Sequence, residues 1–466
     1  MNKPAGNPIF ARPAFVAQAK QEFDALVRAH KDIAYVDAVL PDIVGVLRGK
    51  RIPIADADRI FECGMQLPRS LYLMDAHGEM TNPFGRGFGD GDPDGTAWPV
   101  PGTLSLVWAE GPKRAQSLMT LRDNSGAAEP SEPRAALERV AMRFQDAKLV
   151  PVAALELEFF LIDRERLADR LPQPPRDPHT GAREEAASVY GMDDLDRYGA
   201  FLRALNEAAR AQRVSISATS KEYAPGQFEA NLRHRSDVLA AADQAVFLKQ
   251  IVKAAARASG YDATFMAKPY AERSGSGLHV HVSVLDEAGR NIFDDGSERG
   301  SPRLGHAIAG LQSLMAESMA IFAPNLNSYR RFQPDMFAPV NTRWAVNNRS
   351  AGLRVPIGPC EARRVEHRVA GADANPYLTL AAVLSGIHHG LERQLDPGEP
   401  AIGNVSRHPD KSLPFTIDDA LARLALAKTL ASYLGEETLL LYGETKRIEA
   451  ERLRRVITQA EYAWYL

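Results

Sequence analysis

The sequence predicts an α+β protein of two domains, and three observations carry that expectation. Its 466 residues are more than one ordinary hydrophobic core organises. The first quarter of the chain alternates apolar and polar positions in short runs, the period of strands. Beyond residue 133 helical spacing of apolar residues recurs between further strand-like runs.

Composition narrows the function classes. Hydrophobic residues make up 45% and charged residues 25%, as in a soluble globular protein. Lys plus Arg number 56 against 59 acids, for a net charge of -3, so neither nucleic acid nor an anionic membrane is the expected partner. Cys63 and Cys360 stand far apart without metal-binding spacing, which predicts reduced thiols and a cytoplasmic protein. No apolar run is long enough to span a membrane, and the first twenty or so residues lack the apolar centre of a signal peptide.

Residues 1–15, with three prolines and no periodicity, read as a flexible tail. A helix is expected over 16–30 and strands over 33–40, 43–47, 70–74 and 104–108, which together give a small strand-rich domain over 16–122. The glycine-rich stretch 82–101 reads as a long loop of functional length, without a Walker-type phosphate motif. Residues 123–133, rich in Gly, Ala, Pro and acids, read as a linker to a second domain over 134–466. There, helices are expected over 134–149, 193–212, 237–258, 304–322, 374–391, 418–434 and from 446 to the end, around a proline-bound loop at 171–178.

The strands of this second domain carry the chemistry. In AALELEFFLID (153–163), Leu155, Leu157, Phe159 and Leu161 share one face, and Glu156 and Glu158 share the other. Two acids side by side on a strand in an apolar run repel, and burying them costs several kcal/mol each unless a cation or donor compensates; on a half-exposed strand they would simply face water. A pair of strands over 214–220 and 227–232, joined through Glu222 and the Pro225-Gly226 turn, puts Gln227, Glu229 and Asn231 on one face. Gly-Ser-Gly at 275–277 allows close backbone approach to a ligand, and the strand after it aligns His279, His281 and Ser283. Arg349, Arg354, Arg364 and Arg368 form a basic cluster near Glu366, suited to phosphate or carboxylate, although a solvated basic face would read the same way. An oxygen-rich set of this kind suits Mg2+ or Mn2+ better than a thiolate metal, and metals with arginines imply a polyanion such as ATP. On these residues alone a kinase, an ATP-dependent ligase and a metallohydrolase all remain open.

The series ELEFFL (156–161), EYAPGQFEANL (222–232), GSGLHVHVS (275–283), NSYRRFQP (327–334), NNRSAGLRVP (347–356) and RRVEHRVAGADANPYL (363–378) resembles the signature motifs of the glutamine synthetase family, in family order. The resemblance implies a small N-terminal β-grasp domain and a C-terminal catalytic domain with a curved antiparallel sheet flanked by helices. It implies ATP-dependent phosphorylation of the glutamate γ-carboxylate, displaced by an amine. By the same resemblance Glu158, Glu222 and Glu229 match one metal site, and Glu156, His279 and Glu366 a second, for two or more Mg2+ or Mn2+ ions per subunit. Arg331, Arg368 and Glu366 match catalytic positions; Gly275, His279, Arg331, Arg368 and Tyr190 match substrate-binding positions; His281, Ser283, Arg349, Arg354 and Arg364 match ATP-binding positions. Self-association in rings, usually of twelve subunits, is implied as well.

Departures from the family pattern point to the nucleophile. Where ammonia-using members carry a flap glutamate, this chain has Phe337, and the aspartate of their other ammonium ligand has no counterpart between Phe61 and Pro101. Ser274 replaces an asparagine. With GKRIPI (49–54), PVPGTL (99–104) and RRFQPD (330–335), this pattern resembles the γ-glutamylpolyamine synthetase branch, so the expected amine is putrescine or a longer polyamine. A glutamine synthetase using ammonia, a ligase for ethanolamine or another monoamine, and a non-catalytic relative are the alternatives. Glu366 and Asp335 are candidates for accepting the amine proton.

Overall fold

The computed structural model describes residues 13–108, 111–123, 125–167, 171–297, 299–407 and 409–466. Most of the expected tail, residues 1–12, lies outside the described residues. Two sheets organise the rest.

In the first part, helix α1 (Val16–Ala29) precedes a hairpin of β1 (Tyr35–Pro41) and β2 (Leu47–Pro53); helix α2 (Ile54–Cys63), β3 (Met65–Pro68), β4 (Asp94–Pro99), β5 (Ser105–Val107) and β6 (Arg114–Arg122) follow. The strand order is β2-β1-β6-β4-β3 with β5 beside β6, and β1 and β6 run parallel. The two helices meet through stacked Phe23 and Phe61, 4.3 Å between ring centres, over a core that includes Ile33, Val36, Leu40, Ile60 and Met119.

Two strand expectations and one loop expectation are corrected here. Residues 43–46 form the β1–β2 turn and not a strand: the Asp42 carboxylate accepts the N–H groups of Val44 (3.1 Å) and Val46 (2.8 Å), and Gly45 supplies φ +87°. Residues 69–72 form a 3-10 turn in which Asp92 accepts from the Ser70 N–H and hydroxyl, so the strand lies earlier, at β3. Finally, the loop expected over 82–101 ends in β4, which pairs with both β3 and β6. Alternation sees period two but not the side-chain oxygens that close turns.

The second part contains α3 (Pro133–Asp146), β7 (Val150–Ile162), α4 (Met192–Arg197), α5 (Gly199–Ala211), β8 (Ile216–Lys221), β9 (Gln227–Leu232), α6 (Val238–Ala258), β10 (Asp262–Thr264), β11 (Leu278–Leu285), α7 (Pro302–Phe322), β12 (Trp344–Val346), β13 (Leu353–Val355), β14 (Val365–His367), α8 (Pro376–Arg393), α9 (Ile417–Ala425), α10 (Lys428–Leu434), α11 (Glu436–Arg454) and α12 (Gln459–Tyr465). Its sheet runs β12-β13-β14-β11-β7-β9-β8, with β10 beside β7, and is antiparallel except for β12 against β13. Three long helices start at side-chain caps: Asp237, Ser301 and Asn375 each accept from a first-turn N–H. The helices expected over 193–212 and 418–434 are each two helices, the first broken at Tyr198, whose buried ring donates its hydroxyl to Glu184 at 2.9 Å. The helix expected from residue 446 begins ten residues earlier, at Glu436, and is interrupted before α12.

This sheet has one greasy face and one charged face. Leu155, Leu157, Phe159 and Leu161 are fully buried in the main core beside α5, α6 and α8, while Glu156 and Glu158 project from the opposite side. Burying side chains of this size contributes roughly 2 kcal/mol each and fixes the strand's register, because a slip of one residue would bury the acids instead. Across the seam between the two parts, Asn375 donates to the carbonyls of Asp42 and Ile43 at 3.2 Å, and Arg452 reaches Asp75 at 2.6 Å.

Candidate active site

Strand register lines the acids up. Glu158 of β7 lies directly opposite Glu229 of β9, and Glu156 opposite His279 of β11 on one side and Asn231 on the other. His281 pairs with Glu366 of β14, which pairs in turn with Arg354 of β13. Glu222 joins from the turn after β8: its N–H donates to the Gln227 carbonyl at 2.9 Å, and Gly226 closes the turn with φ +69° where a Cβ would lie 2.5 Å from the Leu161 carbonyl oxygen.

Three groups of ligand atoms result, each within 4.8 Å of one another: Glu158, Glu222 and Glu229; Glu156, Glu229 and His279; Glu156, His281 and Glu366. The first is the triad expected from sequence. The second expected set, Glu156, His279 and Glu366, is spread over the other two groups. His279 Nδ1 lies 3.6 Å from Glu156 and 3.9 Å from Glu366, whereas His281 Nε2 lies 2.9 Å from Glu156. A histidine expected near a nucleotide therefore sits among the acids.

The charges are unbalanced in an informative way. Burial, with the charge of Glu158, pushes the Glu222 carboxyl up to about 7; burial, with Glu156, Glu158 and Glu222, pushes Glu229 up to about 9. No basic side chain forms an ion pair with either among the described residues. A divalent cation is what such a triad fits, since it removes the repulsion that burial and crowding create. The other end of the cluster is already compensated. Against burial, His279 and His281 hold Glu156 well below the usual range, and Arg368, His281, His279 and Arg354 hold Glu366 down to about 2.

Among the arginines, Arg354 donates to Glu366 at 2.7 Å, buried Arg368 bonds the same carboxylate, and Arg364 Nε reaches His281 Nδ1 at 3.2 Å. Arg349 is exposed and close enough to Glu222 to favour its charged form. Buried Arg331 uses Nη1 on the Val369 carbonyl at 3.1 Å and leaves Nε without a partner. Gly275 lets the backbone pass against it: a Cβ there would lie 2.5 Å from Arg331 Cγ. Ser283 continues the His279–His281 face but pairs with Val152, beyond the acids. The backbone N–H of exposed Tyr190 donates to the Lys221 carbonyl at 3.0 Å, beside Glu222. Asp335 is held by Arg407 (2.9 Å), Ser406 (3.1 Å) and Asn404 (3.3 Å).

Sequence reasoning overlooked the groups that position the acids. Glu158 accepts from the Gly277 N–H at 2.8 Å and from Gln227 Nε2 at 3.4 Å, and Gln227 also donates to the Gly275 carbonyl. Asn231 donates to Glu229 at 3.1 Å. The alternation that put Gln227, Glu229 and Asn231 on one face was the available signal. Tyr223, beside Glu222, gave none.

Comparison with known proteins places this geometry. The family model described as glutamine synthetase, catalytic domain, matches residues 130–465. The chain is 40% identical over 446 residues to gamma-glutamylputrescine synthetase of Escherichia coli (strain K12), covering 96% of this chain and 94% of the relative. It is 31% identical over 436 residues to glutamate--isopropylamine ligase of a Pseudomonas species, covering 91% and 93%. The solved structure of a GmaS/ADP complex superposes with a TM-score of 0.80 at 27% identity, covering 95% of this chain and 98% of that one.

Proposed function

The chain belongs to the glutamine synthetase family, and we propose that it joins the γ-carboxylate of glutamate to an alkyl amine, putrescine or a longer polyamine, with ATP cleaved to ADP and phosphate. The observation that carries the choice of amine is the flap: Phe337 stands exposed there, and the acid nearest it, Asp335, is bound up by Arg407, Ser406 and Asn404. A bare ammonium ion would find no unpaired acid on that loop, since Asp335 is already engaged by Arg407. The Escherichia coli relative, a gamma-glutamylputrescine synthetase by name, supports the same reading.

On this reading Glu158, Glu222 and Glu229 hold one Mg2+ or Mn2+, and Glu156, His279 and Glu366, with His281 at hand, a second; bound there, the ions neutralise phosphate charge. Arg331, with spare donors in a buried setting, orients the substrate carboxylate and the phosphoryl group, and Arg368 supports it. Arg349 and Arg364 meet the phosphates, together with Arg354 once it shares its donors with Glu366. Glu366, already clamped by two guanidinium groups, is a poor proton acceptor for the amine, and so is Asp335. Residues 16–122 then form the small domain, 123–133 the linker and 134–466 the catalytic domain. We place the enzyme in the cytoplasm as a ring-forming homo-oligomer, probed by light scattering; no described helix is long and apolar enough to cross a membrane.

The test is phosphate release from ATP with glutamate and Mg2+, comparing putrescine, spermidine, ethanolamine, ammonium and no amine. Stimulation by the diamine or polyamine over a near-background ammonium rate is expected. Ammonium as the best nucleophile would overturn the choice of amine, and no turnover with any amine would overturn the ligase reading.

A further inference from the structure

The rim of the site carries an unusual pair of rings. Tyr223, next in sequence to Glu222, is 50% exposed, and Phe337, on the flap after Arg331, is 62% exposed. Their centres stand 6.2 Å apart and their planes are inclined at 49°, so they form a wedge and not a stack. Two large aromatics left half in water forgo much of the burial that would stabilise them. Phe337 also takes φ +56°, a left-handed conformation that a bulky side chain rarely adopts. The loop holds it there from both sides: Asp335 is tied down by three neighbours, and Ala338, Pro339 and Val340 are buried. Strain of this kind, maintained by the surroundings, aims the ring at Tyr223.

We infer that Tyr223 and Phe337 form the recognition wedge for the amine substrate, receiving its alkyl chain and the ammonium group at its far end, and thereby select an aliphatic diamine over a monoamine or ammonia. This rests on the amine-ligase reading above. The acids beneath the rim, Glu158, Glu222 and Glu229, are committed to a cation on that reading, so they are not free to bind an ammonium. Aromatic faces then remain the attractive surface for a cation at the mouth, and they also pack methylene groups, which a carboxylate does not. Tyr223 follows Glu222 directly in the chain, which fixes the ring's root beside the Glu158, Glu222 and Glu229 group.

The experiment compares kcat/KM for putrescine, n-butylamine and hydroxylamine in the wild type, Tyr223→Leu and Phe337→Leu, with melting temperature and the KM for glutamate measured alongside. Leucine keeps apolar bulk and removes the π face. The expected result is a fall of about tenfold in the putrescine to butylamine ratio in each variant, with the KM for glutamate changed less than twofold. The wild-type panel alone decides whether an alkyl amine is the substrate, so failure of the ligase reading is seen separately. If the ratio holds in both folded variants, the far ammonium does not rest on these rings and the inference is overturned, including where all three nucleophiles slow together.

Discussion

Asp37 and Glu158 are both carboxylates on interior strands of their sheets, and they end in opposite states. Asp37 on β1 faces Arg51 across the hairpin, at 2.7 and 3.0 Å, and receives Arg114 of β6 at 3.1 Å. Glu158 on β7 faces Glu229, with Glu222 as a third acid in the same group. The first sheet supplies two guanidinium groups to one acid; the second supplies two further acids. Like charges directly opposite destabilise a strand pair, so the second set of acids is charged together only when a cation compensates it. An acid on a strand is thus structural or functional according to what its cross-strand partner is. Only register reveals the partner.

The sharpest way to break this contrast is Glu229→Gln. Because Glu229 is pushed up to about 9, glutamine imitates the carboxyl it presents when no cation is bound. In chelator the variant is expected to melt at or above the wild-type temperature. Added Mg2+ should stabilise the wild type and have little effect on the variant. Phosphate release with glutamate and amine should fall about 100- to 1000-fold. Full activity in the variant would show that the triad is not a cation site.

Glu132 gives an intermediate case at the start of α3. Its carboxyl accepts from Thr120 Oγ1 at 3.0 Å and from the Leu121 N–H at 3.1 Å, and among the described residues no guanidinium forms an ion pair with it. Burial therefore pushes it up to about 7, despite the charges of Arg134 and Arg122. Its folded value lies above the unfolded one, so its contribution to stability is fully present below pH 4.5 and is lost as pH rises through about 7. The loss amounts to at most about 3 kcal/mol. Urea unfolding at pH 5 and pH 8 should show the wild type weakening more than Glu132→Gln, which stays neutral. Parallel curves for the two proteins would mean that Glu132 is charged in the fold.

Much of this was legible in the chain because the large sheet is long and regular. β9, most of β11 and the centre of β7 (155–159) alternate apolar and polar residues, so Glu156, Glu158, Glu229 and His279 fell on the right face from spacing alone. Motif order supplied the family. What spacing could not supply was set by through-space contacts. The turn at 43–46 depends on the Asp42 carboxylate, and the 3-10 turn at 69–72 on Asp92. The place of His281 among the acids depends on the register of β11 against β7, and the wedge at the rim depends on a flap conformation that no periodicity encodes.

The smallest expected effect closes the comparison from its other side. Asp37→Asn keeps the shape of the side chain and removes the charge that Arg51 and Arg114 share. Arg51 is about half exposed, at 51%, so water screens and replaces much of what is lost there; Arg114, at 20%, loses more. The expected cost is about 1 kcal/mol in urea unfolding, reduced at high salt. No change is expected in kcat for phosphate release, because the small sheet's ion pairs are complete within themselves. If Asp37→Asn instead lowered kcat severalfold in fully folded protein, the line between a carboxylate neutralised in place and one awaiting a cation would have been drawn wrongly, and β1 would have to be counted with the site.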